Sequence, residues 1–300
     1  MATALLLLPD FLLITLGFLL CRYTPLNRSA WDGIERLVYY LLFPVLLFTS
    51  VLKSPLQPSQ TLNLAAASVG TTACGIALAL AIGRWPAIDR RRHASGAQTA
   101  FRFNSYIALA MAERLGGASG VAWMALSIAL CVPLANVAAV WPLARHGGQS
   151  YGRELLRNPL IIATVGGIIA NLAGLRLPEP MSVALQRIGA SALPLGLMGA
   201  GASLRLGGLT ASKSLTVSFM TIRHALLPVI ALLLTAALGL SPAQRMIVVL
   251  FAALPTSASC YVLASRMGGD GPYAAGLVTL STLLGMISIP VWLAVLQMMP

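Results

Sequence analysis

The chain has 300 residues, 58% of them apolar and 9% charged, with a mean hydropathy of +0.84. A soluble domain carries about a quarter charged residues, so this composition excludes water as the main solvent. A formal charge of +12 would suggest a nucleic-acid partner in a soluble protein; here the charge sits between apolar runs, and its meaning is topological.

Ten apolar stretches of about 20 residues, each enough to cross a hydrocarbon layer about 30 Å thick, are expected. They fall at 4–21, 34–53, 61–83, 95–112, 118–141, 159–175, 181–204, 214–238, 242–265 and 273–298. The first has no basic residue ahead of it and is interrupted by Pro9-Asp10, so it reads as a retained span, not a secretory signal. Arg22 and Arg28 follow span 1, and Arg84, Arg90, Arg91 and Arg92 follow span 3. Arg145, Arg153 and Arg157 follow span 5, Arg205 and Lys213 flank the connection after span 7, and Arg266 follows span 9. The alternate connections hold Lys53, Arg114, Arg176 and Arg245, one apiece. The positive-inside bias therefore places the odd-numbered connections in the cytoplasm and both termini in the periplasm of a bacterial inner membrane. Trp31, Trp85 and Trp141 fall near cytoplasmic span ends, where interfacial anchors are expected. Cys21, Cys74, Cys131 and Cys260 show no paired spacing and read as small core residues.

The two halves share punctuation. Pro9 and Pro159, Gly17 and Gly167, and Pro44 and Pro194 each stand 150 residues apart. Arg114-Leu115-Gly116-Gly117 ends span 4, and Arg266-Met267-Gly268-Gly269 ends span 9, at an offset of 152. Five spans per half is an odd number, so the second copy enters the membrane from the other side, as in inverted-repeat transporters.

Spans 4 and 9 are unlike the rest. Span 4 holds Phe101-Arg102-Phe103-Asn104-Ser105-Tyr106, a polar cluster within an apolar run. Span 9 holds Leu254-Pro255-Thr256-Ser257-Ala258-Ser259-Cys260-Tyr261, in which Pro255 lacks a backbone donor and obstructs the preceding turn. Interrupted spans at corresponding places in two repeats point to a substrate site near the midplane. Half-helix N-termini present free N–H groups to an anion, and Asn, Ser and Thr add directional hydrogen bonds.

These residues resemble those of the auxin efflux carrier family, which includes plant PIN-type carriers and bacterial malate/malonate-type permeases. Arg102-Phe103-Asn104-Ser105-Tyr106 looks like its Arg-x-Asn signature. The stretch from Ala253 through Pro255 and Tyr261 to Asp270, then Thr279, Ser281 and Thr282, is the closer match, and Gly199-Ala200-Gly201-Ala202-Ser203 also fits. The resemblance implies an all-α membrane protein of ten helices in two inverted five-helix repeats, with helices 4 and 9 broken and crossing. It further implies scaffold helices 1–2 in 1–56 and 6–7 in 151–210, and transport-unit helices 3–5 in 57–150 and 8–10 in 211–300. No proline follows Asn104 as it often does in the family, so the span 4 break is expected either to rest on Ser105, small residues and loosened hydrogen bonds or to be milder than usual. The connection from Ala144 to Asn158 is short, which favours the bacterial permease branch.

The substrate-binding candidates are Asn104, Arg102, Ser105, Tyr106, Pro255, Thr256, Ser257, Ser259 and Tyr261. Each has a plainer alternative: Asn104 as an interhelical glue, Arg102 as a snorkelling side chain, the hydroxyls as bonds to helix carbonyls, and the tyrosines as packing. Arg223 presents the same choice as Arg102, and His224 reads as a proton carrier or as a satisfied core histidine. Gly196 with Ala200 and Gly199 with Ser203 have the spacing of close helix packing, and a homodimer surface is one use of it. Of the eight acidic residues, Asp32, Glu35, Asp89, Glu154, Glu179 and Asp270 fall in connections or at span edges and Asp10 and Glu113 inside spans near an end, Asp270 being expected to cap or end helix 9. No cofactor, resident metal or catalytic group is expected; the coupling ion, Na⁺ or H⁺, is unassigned. The function expected is a secondary carrier of a small organic anion, a carboxylate, by alternating access. Its competitors are a passive anion channel and an intramembrane enzyme built on Ser203 and His224.

Overall fold

The computed structural model describes residues 2–53, 58–85, 88–144, 159–204, 212–257 and 259–299. Arg145, Arg153, Arg157, Arg205 and Glu154, and the side chains of Asp10, Trp141 and Arg266, lie outside the described residues. Among the described residues there is no strand. The helices are α1 (Ala2–Tyr23), α2 (Arg28–Leu37), α3 (Phe43–Lys53), α4 (Pro58–Ile82), α5 (Arg90–Phe101), α6 (Ser105–Ala144), α7 (Pro159–Leu172), α8 (Glu179–Ala190), α9 (Ala192–Ala202), α10 (Lys213–Thr221), α11 (Leu227–Ala237), α12 (Pro242–Ala253), α13 (Ser259–Arg266) and α14 (Gly271–Gln297). Helix runs through every apolar stretch named above. Four stretches, Thr61–Ile82, Arg90–Val140 (interrupted at Arg102–Asn104), Lys213–Ala237 and Gly271–Gln297, are long and apolar enough to cross a membrane. Their outward positions are apolar too: Leu62 is 70% exposed and Leu233 and Ile287 are each 66% exposed. A helix apolar on its outer face wants lipid around it.

Proline shapes the two π-helical segments. Val38–Leu42 joins α2 to α3, and Ile222–Leu226 joins α10 to α11. Pro44 and Pro228 each lack the N–H that would reach the carbonyl four residues earlier, Tyr40 and His224. A widened turn just before a proline is a common relief for that lost bond. In α6 the backbone of Gly117 adopts φ 56° and ψ −147°, which separates the two spans expected at 95–112 and 118–141.

The chain forms two compact units. The first comprises Met1–Thr61, Tyr106–Ala129 and Tyr151–Ser203; the second comprises Leu62–Ser105, Leu130–Ser150 and Leu204–Pro300. In the first, α1 lies along α9, and α3 lies along α7 and α8. Glycine makes that approach possible. A Cβ on Gly17 would stand 1.9 Å from the Met198 carbonyl oxygen, and one on Gly201 1.8 Å from that of Ile14. The small residues of span 7 are therefore spent on packing inside this unit: Gly196 faces Phe43 and Tyr106, and Gly199 faces Glu35. Arg28 of α2 ion-pairs with Asp32 at 3.0 Å and Glu35 at 2.9 Å. Trp31, expected as an interfacial anchor, is instead only 2% exposed, whereas Trp85 is 58% exposed.

The second unit gathers α4 from Leu62 onward, α5, α10–α14 and the end of α6. Its α12 packs on α11 and α14, and α13 packs on α14 and α5. Two of its helices correspond in position. Asp89 caps α5 by accepting from the amides of Arg91 and Arg92, and Ser241 caps α12 in a reciprocal box with Gln244. Both helices run 12 residues, starting 152 residues apart at Arg90 and Pro242 and ending at Phe101 and Ala253. The residue after each is extended, ψ 147° at Arg102 and 146° at Leu254.

Candidate functional site

Both interruptions lie in the second unit, and they meet. After α5 the chain leaves helical geometry at Arg102–Asn104 and re-enters it at Ser105; after α12 it does so from Leu254, and helix resumes at Ser259. The amide of Asn104 donates to the carbonyl of Pro255 at 2.9 Å. Phe103 sits edge-on to Phe251, ring centroids 4.6 Å apart. The break in span 4 is thus a full three-residue interruption without a proline, not the milder of the two alternatives expected. Its orphan amide is satisfied from the other break, which lets it persist away from water.

Long polar side chains hold the freed backbone. Arg223 is 1% exposed and donates from Nε to the Leu254 carbonyl at 2.5 Å and from Nη2 to that of Phe251 at 3.0 Å. It thereby caps the C-terminal end of α12, where the helix dipole is negative. Sequence reasoning offered substrate contact or snorkelling for Arg223; the structure shows a third role, a cap on a broken helix. Gln98, fully buried, donates to the Cys260 carbonyl at 3.1 Å and accepts from Arg102 Nη1 at 2.9 Å. Arg102 Nη2 donates to Asn136 Oδ1 at 3.0 Å, so Arg102 is anchored within the unit by neutral acceptors. Neither Gln98 nor Asn136 was singled out from sequence, because their partners are 162 and 34 residues away.

Arg102, Asn104, Ser105, Pro255, Thr256, Ser257, Ser259 and Tyr261 all belong to this unit. Asn104 is 6% exposed and Thr256 fully buried. The Thr256 amide donates to Ser281 Oγ at 3.0 Å, and its hydroxyl lies 3.5 Å from Cys260 Sγ. Ser257 and Ser259 pair at 2.7 Å between their hydroxyls, with Ser259 exposed at the start of α13. Pro255 packs on Gly285, whose Cβ would lie 3.2 Å from its ring. Tyr106 belongs to the first unit, stacked on Phe43 at 4.9 Å. Ser203 belongs there as well and donates to the Ala200 carbonyl, whereas His224 is in the second unit.

At the far end of α13, Arg91 donates to the carbonyls of Gly268 and Gly269, and Gly268 takes φ 72°. Asp270 does not end helix 9 as expected; it caps the next helix, accepting from the Tyr273 amide at 3.0 Å, and pairs with Arg92 at 3.4 Å.

The family profile of membrane transport proteins matches residues 142–293, a range that contains the whole of the span 9 break. The chain belongs to this family, the auxin efflux carrier family that its motifs resemble. A relative from Rhizobium meliloti (strain 1021), named "Putative malonate transporter", is 26% identical over 306 residues, 95% of this chain and 92% of the relative. The protein is a membrane transport protein.

Proposed function

We propose that the protein is a secondary carrier of a small organic anion, a carboxylate of the malonate type, bound where spans 4 and 9 cross. The observation that carries this reading is the bond from the Asn104 amide to the Pro255 carbonyl, which joins two interrupted spans at one point. Two half-helices, α6 and α13, begin beside that point with Ser105 and Ser259 as first residues. Helix beginnings attract negative charge. Arg223 occupies the carbonyls at the end of α12, which removes a negative helix end from the same neighbourhood. Asn104, Thr256 and Ser257 supply neutral polar groups, and Arg102 supplies a cation.

The ten stretches are read as ten spans in two inverted repeats, supported by the 152-residue offset between α5 and α12 with their caps. Both termini lie in the periplasm on the positive-inside count. The residues around the crossover, with spans 3–5 and 8–10, form the moving part in alternating access, and spans 1, 2, 6 and 7 form the scaffold. The name of the Rhizobium relative favours a dicarboxylate such as malonate over a bulky aromatic acid.

A thermal-shift screen of the purified protein against malonate, monocarboxylates, indole acids and neutral controls, with and without Na⁺, tests this. A binder of the folded state raises apparent stability by mass action. Stabilisation by carboxylates that is lost in Asn104→Ala is the expected result. Stabilisation by neutral or cationic compounds alone overturns the anion assignment. Saturable uptake stimulated by substrate on the opposite side separates a carrier from a channel.

A further inference from the structure

We propose that His224 is a proton-binding site linked to the span 9 break, so that the protein takes up a proton when an anion occupies the crossover. The proposal rests on the anion reading above. His224 lies in the π segment Ile222–Leu226, and insertions of this kind recur at functional sites. Pro228 has no N–H to offer the His224 carbonyl, and the Trp292 indole N–H donates to that carbonyl instead, at 2.8 Å. The ring itself is held at both nitrogens by α14: Nε2 is 2.8 Å from Ser281 Oγ, and Nδ1 is 2.9 Å from Ser288 Oγ. Ser281 Oγ is also the acceptor for the Thr256 amide. A continuous chain of hydrogen bonds therefore runs from the backbone of the break, through Ser281, to the imidazole and on to Ser288.

Proton bookkeeping gives this chain two states. A neutral imidazole has one N–H and one lone pair, so one serine gives it a proton and the other receives one. An imidazolium has two N–H groups, so both serines become acceptors. In the neutral tautomer that carries its N–H at Nδ1, Ser281 donates to Nε2; on protonation Ser281 accepts from the Thr256 amide and from His224 together, and its own hydroxyl proton turns to a new acceptor. A carboxylate oxygen at the break is such an acceptor, beside Thr256. The added proton comes from solvent, and no other bond is made or broken.

Charge points the same way. The residues assigned to this unit contain two carboxylates, Asp89 and Asp270, at the starts of α5 and α14, and both lie within 4 Å of Arg92. Arg223 is the adjacent cation, with its guanidinium on the α12 carbonyls. Among the elements packed on the π segment, α11 has no titratable side chain and α10 has only Lys213, at its first residue. On α12 there is Arg245, in the first turn, and on α14 Tyr273, whose hydroxyl is 3.2 Å from that of Thr216. On α5 there are Arg90, Arg91 and Arg92 in the first turn and His93, whose ring bonds the Ala79 carbonyl. An imidazolium at 224 thus adds positive charge beside Arg223 with no carboxylate from these elements facing it. A bound anion supplies the counter-charge. By linkage, each ligand strengthens the other to the same degree.

The test is calorimetric titration of malonate into detergent-purified protein, in buffers of different ionisation enthalpy, which counts protons taken up on binding. A proton taken up with each malonate by the wild type, and none by His224→Gln, is the expected result. Equal uptake by the two overturns the proposal and leaves the anion site standing. Should His224→Gln fail to fold, Ser281→Ala replaces it, with reduced uptake expected and unchanged uptake overturning the proposal. Where no carboxylate binds the wild type, the anion reading falls, and ¹⁵N spectra of histidine-labelled protein decide the rest. A titration midpoint for His224 that moves in Ser281→Ala upholds the link to the break. An unmoved midpoint, or a ring that stays neutral wherever the protein is folded, overturns it.

Discussion

The amide of Asn104 and the carbonyl of Pro255, 151 positions apart in the chain, are joined by a hydrogen bond of 2.9 Å. Each break supplies what the other lacks: an N–H freed by the end of α5, and a carbonyl freed by the end of α12. Because the bond is between backbones, side chains on either partner can be changed without cutting it.

That separation makes Asn104→Ala a clean test. The expected outcome is an unliganded melting temperature close to wild type, with carboxylate affinity reduced roughly ten-fold or more. A hydrogen bond to a charged group contributes about 1.5–3 kcal/mol. Thermal-shift titration with malonate measures both quantities in one series.

Arg223 is predicted to matter for folding before it matters for transport. Arg223→Met leaves the carbonyls of Leu254 and Phe251 without their donor. An unsatisfied buried group costs about 1–3 kcal/mol, so the melting temperature should fall by several degrees or the protein should aggregate. Arg223→Lys keeps the charge but not the fork that spans two carbonyls, and an intermediate loss is expected. Fluorescence-detected size exclusion after a heating series ranks the three proteins.

Glycine substitutions should divide sharply by site. Gly201→Ala would place a methyl group 1.8 Å from the Ile14 carbonyl oxygen, a contact that only separation of α1 from α9 can relieve. Gly166→Ala meets nothing within 4 Å. The first should abolish recovery of folded protein and the second leave it unchanged, as judged by yield from membranes.

Orientation can be read with cysteines. Trp85, 58% exposed after α4, belongs to a connection assigned to the cytoplasm, and Leu175, 48% exposed after α7, to one assigned to the periplasm. In a background lacking the four native cysteines, a membrane-impermeant thiol reagent applied to intact cells should label Leu175→Cys and spare Trp85→Cys. The reverse pattern inverts the topology.

Interruptions that arise from local chemistry were legible in the sequence, and those that arise from distant partners were not. Pro255 announces its break, since a missing N–H acts within one turn. The break at Arg102–Asn104 has no proline, and its depth depends on an acceptor 151 positions away, so whether it would be full or mild stayed open. Gln98 and Asn136 look like ordinary polar residues until Cys260 and Arg102 are placed beside them. Asp270 was expected to cap or end helix 9; the amide of Tyr273 shows that it opens the next helix. Trp31 illustrates the opposite error: its position near a span end suggested an interface, whereas α2 turns it into the first unit. The apolar stretches and the small residues of span 7 needed no distant information, because length and side-chain volume alone specify them.

The pairing of the two breaks also sets an order of assembly. Residues 1–203 contain everything assigned to the first unit, so its members are all present once synthesis passes Ser203. Until residue 255 is made, however, the Pro255 carbonyl that accepts from the Asn104 amide in the finished fold does not yet exist, and a freed backbone group in hydrocarbon needs protein or water beside it. Span 4 is therefore inserted as an unfinished element, held open for a partner that the ribosome delivers half a chain later, and a truncation before Pro255 should present that unfinished span to the membrane's quality-control proteases.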